Sequence, residues 1–294
     1  VNQENRLLPD LLCFGELLWD IYEDGEEKIG GAPFNVAAIA SLKGIPTTMI
    51  TAVGTDEPGR RIRAAASKKV NLICQINEHK TGTVTVIRDE EKNPTFVIEK
   101  DVAYDYITCD DAVQSVCAGV KFFCFGTLAQ RSSVTRNTLR KILNVTHAAK
   151  IYDVNYRDGI KEWQSIFRES IEQTDILKVN EAELRLLKPL YNSDESDELF
   201  IKTLIQHHGL QYVFVTRGDR GASLYSERTI LHRNAPTVAV VDTTGCGDAF
   251  TAGIVYALAK NFDDQRILEC AVELAAKLAT VKGAVPDNTT IVRP

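Results

Sequence analysis

The feature that most restricts the fold of this chain is a regular alternation of short apolar runs with helical segments, unbroken from residue 110 onward. Residues 110–117 read as a helix, 120–125 as a strand, 132–148 as a helix and 150–155 as a strand. A helix around 163–172, strands at 175–179 and 211–216, and a long helix at 262–281 continue the pattern. Upstream, 11–14 and 47–53 read as strands and 36–42 as a helix. A basic, alanine-rich helix opens at 54–59 and runs to Lys69. Strands separated by helices in this way form a parallel sheet, with right-handed crossovers and helices on both faces. The expected class is therefore α/β, a three-layer α/β/α sandwich around a mainly parallel sheet. A chain of 294 residues that is 44% hydrophobic suffices for its core.

Between residues 72 and 99 the period changes to two. The runs 72–76, 83–88 and 95–99 are strand-like, the last two joined by a turn at 89–94, with no helix between them. Such a patch is expected to form a small antiparallel sheet standing off the main one and, with residues 17–22, to cover a site as a lid. An edge hairpin of the main sheet is the plainer alternative. The expected division puts 1–14, 32–71 and 108–294 in the α/β core with the nucleotide site, and 15–31 and 72–107 in the lid.

A net charge of −6 gives no general attraction to nucleic acid or an anionic membrane, so an anionic ligand has to be held by a local site. No run of about 18 apolar residues and no signal-peptide core is found, and the expected location is cytoplasmic. The seven cysteines show no paired spacing and read as reduced core thiols. Of five histidines only His207 and His208 are adjacent. They make no zinc pattern, since neighbours on a helix point in different directions. Arg60, Arg61 and Arg63 read as a solvated helix face.

Chemistry concentrates in Val240-Val241-Asp242-Thr243-Thr244-Gly245-Cys246-Gly247-Asp248-Ala249-Phe250. A β-rich run at 237–241 meets a turn with two glycines and an apolar helix at 249–260. Glycines let backbone N–H groups converge in front of the helix N-terminus, where free donors and the dipole favour an anion such as phosphate. A bound phosphate would repel Asp248. That position suits a group that takes a proton from a hydroxyl while phosphate is transferred to it; helix capping is the plainer reading.

Other places offer ligand groups. Asp20, among Trp19, Ile21 and Tyr22, either caps a turn or accepts hydrogen bonds from a polyhydroxy ligand. Gly30 and Gly31 permit a close backbone approach, and Asn35 either caps the next helix or offers it a donor and an acceptor. Asp153, Asn155 and Arg157 alternate along an extended segment and are expected to share one side of it as a site wall. Asn180 with Glu183 fits a capping box, and Thr216 to Gly221 forms a tight loop that a hairpin turn explains.

Gly30-Gly31-Ala32-Pro33-Phe34-Asn35-Val36-Ala37, Asn180-Glu181-Ala182-Glu183, Thr216-Arg217-Gly218-Asp219-Arg220-Gly221 and Asp242 to Asp248, in this order, resemble the ribokinase-like (PfkB-type) carbohydrate kinases over residues 11–286. The resemblance implies a ribokinase-like sandwich with a β lid, and ATP-dependent transfer of phosphate to a primary hydroxyl of a monosaccharide. It implies that Asp248 is the catalytic base and that the backbone of Gly245, Cys246 and Gly247 is the anion hole. Asp20, Gly30, Gly31, Asn35, Asn155 and Arg157 would hold the sugar, and Asn180, Thr216, Gly218 and Gly221 the nucleotide. Glu183 would act near Mg²⁺ through water. Asp242, Thr244, Ala279 and Gly283 would hold a monovalent cation such as K⁺, with Asp287 where ribokinases have a serine. The implied ligands are a sugar and MgATP, with no nucleic acid or membrane partner, and a homodimer through apolar lid faces is left open.

Cys246 stands where the family usually has alanine. Any small side chain fits there, and a thiol at a helix N-terminus is also a candidate for a depressed pKa and for oxidation. The run after Gly30, with Cys13-Phe14-Gly15-Glu16 and Phe125-Gly126-Thr127-Leu128-Ala129-Gln130, is most similar to the fructokinase branch, which makes fructose the leading substrate. Asp153-Val154-Asn155-Tyr156-Arg157, with Trp163 beyond, is also similar to 2-keto-3-deoxygluconate kinases, where a cation pairs with the acid's carboxylate. A phosphosugar acceptor, contacted by Arg157 and Lys100, and a non-catalytic sugar-binding relative are the further alternatives.

Overall fold

The structure, a computed structural model, describes residues 9–88 and 94–286; Asp287 lies outside them. Strand Leu11–Phe14 (β1) is followed by Leu18–Tyr22 (β2), Glu27–Gly30 (β3), helix Ala32–Leu42 (α1) and strand Thr47–Gly54 (β4). Helix Glu57–Ala66 (α2) leads to Asn71–Asn77 (β5), Gly82–Arg88 (β6) and Pro94–Ile98 (β7). Next come Asp111–Cys117 (α3), Phe122–Gly126 (β8), Ser133–Val145 (α4), Ala149–Asp153 (β9), Trp163–Ile171 (α5) and Ile176–Asn180 (β10). Helices Glu181–Leu187 (α6) and Asp197–His208 (α7) precede Tyr212–Thr216 (β11), Ala222–Tyr225 (β12) and Ile230–Arg233 (β13). Helices Cys246–Ala259 (α8) and Asp264–Leu278 (α9) complete the described chain.

Nine strands form one sheet in the order β13-β12-β11-β10-β9-β8-β1-β4-β5, parallel from β11 through to β5 and antiparallel at the β12 and β13 edge. Side chains alternate across each strand, so the sheet separates two apolar layers. Leu11, Cys13, Cys124 and Phe214 face α1, α8 and α9. Leu12, Phe14, Phe125, Tyr152 and Val213 face α3 to α7. The expected three-layer α/β/α sandwich is what the chain forms. Gly253 sets the spacing of α8 and α9, because a Cβ there would stand 2.7 Å from the Ala271 Cα. None of the described helices is long and apolar enough to cross a membrane.

A second sheet of four strands, β3-β2-β6-β7, consists of two antiparallel hairpins joined by a parallel β2–β6 seam. It is held to the core by the Trp19 indole, which donates to the Pro58 carbonyl at 3.1 Å, and by the Arg61 guanidinium, 5.0 Å above the Trp19 ring. Arg61 also pairs with Glu27 at 2.7 Å, so it is not part of a purely solvated face.

Two expectations need correction. Residues 72–76 do not belong to the small sheet. β5 pairs parallel with β4, Met49 opposite Leu72, because α2 serves as the crossover of a β-α-β unit. Residues 237–241 form no strand. The N–H groups of Val241 and Asp242 donate instead to the Ala279 carbonyl, at 2.8 and 3.2 Å, and Val240 and Val241 are each 63% exposed.

Candidate active site

Parallel strands end together, and their C-terminal ends open a crevice in an α/β sheet. Two cavities lie there. One of about 310 Å³ is lined by Glu16, Asp20, Gly31, Asn35, Asn155, Arg157 and Asp248, with Val84 and Ile98 of the small sheet above. The other, about 570 Å³ and more apolar, is lined by Thr216, Gly218, Gly221, Val240, Phe250 and Ala276. Thr243 lines both; Gly245 and Asp248 face the smaller cavity, Cys246 and Gly247 the larger.

The divide between them is the first turn of α8. Gly245 is its N-cap at φ +78°, where a Cβ would also stand 2.6 Å from the Ala284 Cβ, and no side chain caps the helix. The Cys246 N–H turns back to the Thr243 carbonyl at 3.2 Å, which leaves the donors from Gly247 onward for an anion. Beneath them the Lys178 ammonium lies 3.1 Å from where a Gly247 Cβ would stand. Lys178 donates to Asp153 at 2.9 Å, and the Thr251 hydroxyl donates to the other Asp153 oxygen, also at 2.9 Å. Burial opposes the lysine's charge, but Asp153 and Glu183 outweigh it and hold the ammonium above its ordinary pKa.

Asp248 is buried, and Asn35 Nδ2 donates to its Oδ2 at 2.8 Å, which ties α1 to α8. Burial, then the charge of Asp153, raises the Asp248 pKa to about 7, against the Asn35 hydrogen bond and the charges of Lys178 and Arg157. Burial likewise raises Glu16 to about 7 and Asp20 to about 6, with Arg157 opposing both. A buried aspartate that titrates near neutrality beside an uncapped helix N-terminus can receive a proton from a hydroxyl held in the smaller cavity.

The two glycines act differently. Gly30 does not line the cavity; a Cβ there would overlap the Asp20 carboxylate, so it makes room for that side chain across the β2–β3 pair. Gly31 lines the cavity at φ +109°, where a Cβ would overlap the Glu16 carbonyl. Gly31→Ala is therefore expected to destabilise the chain by roughly 1–3 kcal/mol, read as a lower midpoint in urea denaturation.

Asn155 and Arg157 reach the cavity, but Asp153 does not line it. Asn155 at φ +38° breaks the alternation that would have kept the three on one side, and Asp153 turns under α8 instead. Asn180 caps α6 and pairs in register with Thr216 at the rim of the larger cavity, without lining it. Both Glu183 oxygens are taken by backbone donors, Asn180 N–H at 2.7 Å and Tyr156 N–H at 2.9 Å. Asp242 accepts from Thr244 N–H and Gly283 N–H, each at 2.9 Å, so these residues and Ala279 form one cluster behind the turn. Burial opposes its ionisation, but those hydrogen bonds prevail and hold Asp242 below the usual carboxylate range. Cys246 goes the opposite way from the expectation for a helix N-terminus. Burial, with Asp242 and Asp248 adding to it, pushes the thiol up to about 11, which disfavours the reactive thiolate.

Glu16 and Lys178 carry signals that motif reading passed over. Glu16 is a carboxylate directly after a buried strand and a glycine, and Lys178 is a lone charge inside the apolar run Ile176 to Val179.

Comparison with known proteins agrees with this architecture. Residues 11–291 match the model of the pfkB family of carbohydrate kinases. The fructokinase of Salmonella typhimurium is 27% identical over 292 residues, covering 92% of this chain and 93% of that one. The structure of fructokinase with bound ATP from Xylella fastidiosa superposes with a TM-score of 0.84 at 22% identity, over 95% of this chain and 94% of that one. A fructokinase double mutant from Vibrio cholerae with fructose, ADP and potassium ion bound gives 0.79 at 23% identity, over 98% and 96%. A family match that spans nearly the whole chain, on a fold shared from end to end, decides the assignment: the chain belongs to the pfkB family of carbohydrate kinases.

Proposed function

We propose that this family member transfers the γ-phosphate of ATP to a primary hydroxyl of a monosaccharide, with fructose as the substrate and fructose 6-phosphate as the product. The observation that carries the reading is the buried Asp248 carboxylate, at the start of an uncapped helix where the two cavities meet. The sugar binds in the smaller cavity against Asp20, Asn35 and Asn155, and the nucleotide in the larger one between Thr216, Gly218 and Gly221. Asp248 accepts the hydroxyl proton as that oxygen attacks the γ-phosphorus in line and the bond to ADP breaks. The α8 donors from Gly247 onward hold charge on the phosphoryl oxygens. The four-stranded sheet acts as the lid that keeps water out.

Mg²⁺ bound with ATP would supply charge neutralisation at the phosphates. Glu183, with both oxygens engaged by backbone donors, suits a role near it through water. The cluster of Asp242, Thr244, Ala279 and Gly283 is the proposed K⁺ site, which the potassium form of the Vibrio cholerae relative supports. Ile87 and Val97 are exposed on the outer lid face and suit pairing of two lids in a homodimer.

A second reading is favoured by Arg157. Its guanidinium makes no ion pair among the described residues and donates only to the adjacent Tyr156 carbonyl, at 3.2 Å, so a carboxylate such as that of 2-keto-3-deoxygluconate would find a partner there. The test is a coupled ADP-release screen over fructose, 2-keto-3-deoxygluconate, ribose and fructose 6-phosphate with MgATP, with and without K⁺. Fructose is expected to give the highest kcat/KM, and protein inert toward every acceptor would sink the kinase reading. Arg157→Ala is expected to leave kcat/KM for fructose within about tenfold, and to lower that for the acid by about 30-fold or more, the cost of leaving the bound carboxylate without its charge partner.

A further inference from the structure

Two helices end at the edge of the sheet opposite the cavities. α5 stops at Ile171 with Glu172 as its C-cap, and α7 ends in His207 and His208 with Gly209 in the left-handed C-cap conformation. Their ligand atoms converge: one atom each from Glu172, His207 and His208 lie within 4.8 Å of one another, the one such group among the described residues. The two imidazole rings stand 4.6 Å apart at 79°, at the C-terminal end of α7.

His208 is built as an inner ligand. Its side chain is only 3% exposed, and its Nδ1 stands 3.1 Å from Glu172 Oε1 without making a hydrogen bond. The other ring nitrogen, Nε2, is 2.8 Å from the Tyr191 hydroxyl, which fixes the ring as an outer partner fixes a metal-bound imidazole. Glu172 and His207 are exposed, which leaves them free to rotate and leaves room for water ligands. A tetrahedral metal with bonds near 2.0 Å sets its ligand atoms about 3.3 Å apart, a spacing that small side-chain rotations reach. Both helix C-termini point their negative dipole ends at this corner and add to the attraction for a cation. Arg168, on the same helix as Glu172, is occupied by the Leu190 carbonyl at 2.8 Å.

We propose that Glu172, His207 and His208 form a binding site for a divalent transition metal of the zinc type, separate from the kinase centre. Two imidazoles and one carboxylate select such ions over Mg²⁺ or Ca²⁺, which prefer all-oxygen sites. β10 and β11 begin at this edge and end at Asn180 and Thr216, so a five-residue strand, roughly 16 Å long, separates the metal from the nucleotide cavity. Bound metal links α5 to α7 and stabilises the fold without entering the reaction.

The test is a titration of the 294-residue chain with Zn²⁺, free of nucleotide and Mg²⁺, followed by calorimetry and by thermal denaturation. One saturable Zn²⁺ per chain and a raised Tm are expected. Replacing buried His208 risks the fold, so the exposed ligands carry the test: His207→Ala and Glu172→Gln each weaken binding roughly tenfold or more and abolish the rise in Tm. Kinase turnover without added Zn²⁺ stays at the wild-type level in both. Co²⁺ in place of Zn²⁺ is expected to give the weak visible bands of nitrogen and oxygen ligation, with no thiolate charge-transfer band. No binding, binding that survives both substitutions, or binding that carries the thiolate band and disappears when the cysteines are blocked would overturn the proposal.

Discussion

Asp248→Asn is expected to lower kcat by more than about two orders of magnitude while sugar affinity changes only a few-fold. The amide keeps the size of the carboxylate and can still accept the Asn35 hydrogen bond, so the cavity wall survives and only the basic group is lost. Stopped turnover with retained sugar binding, measured by ADP release and by calorimetry, separates a base from a structural cap; unchanged kcat would remove Asp248 from the chemistry. The pH profile gives a second reading. The base acts when deprotonated, and its pKa is about 7, so wild-type kcat/KM is expected to rise as pH increases through neutrality. The same shift has a stability sign. A carboxyl with its folded pKa raised from about 3.9 contributes stability that is fully present below the unfolded value and is lost as pH rises through the folded one. Asp248→Asn, which never ionises, is therefore expected to gain in Tm over wild type at pH 8 and to gain little at pH 4. Equal shifts at both values would mean that the raised pKa is not felt in the fold.

Much of the architecture was legible because strand and helix periods are local properties. The runs of β1, β4, β9, β10 and β11 identify themselves by composition, and helices between them leave a parallel sheet as the arrangement that satisfies their connections. Which sheet a strand joins is not local. β5 has the same two-residue period as β6, yet one pairs with β4 and the other with β2, and only the partner's position decides it. The run at 237–241 is β-branched for a different reason: Thr237, Val238 and Val240 wall the larger cavity. Site residues divide in the same way. Asp20, Asn35, Asn155, Arg157 and Asp248 converge on one cavity. Gly30 is different, because a glycine's motif does not say whether the missing side chain makes room for a ligand or for a neighbour, here Asp20. His207 and His208 approach Glu172, a residue of another helix, which their adjacency in the sequence does not foretell.

Lys178→Met is expected to destabilise the chain by about 3–5 kcal/mol, the usual cost of stranding a buried charge. Lys178 and Asp153 side chains are only 7% and 6% exposed at 2.9 Å, and the Thr251 hydroxyl cannot neutralise the carboxylate that the mutation leaves behind. Replacing the pair together, Lys178→Met with Asp153→Leu, removes both charges. It is expected to recover most of the lost stability in guanidinium denaturation, because a buried ion pair offsets its desolvation only in part. Turnover is expected to behave differently. The ammonium lies under the Gly247 backbone at the start of α8, and in the proposed mechanism a fixed positive charge there would act on the transferring phosphoryl group through a medium of low dielectric. The double variant should therefore fold nearly as well as wild type and still turn over up to about 100-fold more slowly, with the loss in kcat and not in the KM for sugar. Losing Asp153 also removes the largest charge that raises the Asp248 pKa, and losing Lys178 removes a smaller one that lowers it, so the acidic limb of the pH profile should move to lower pH in that variant. Stability and turnover recovered together would instead make the pair an element of folding alone, and the charge that holds the phosphoryl group would then have to come from the α8 N-terminus by itself.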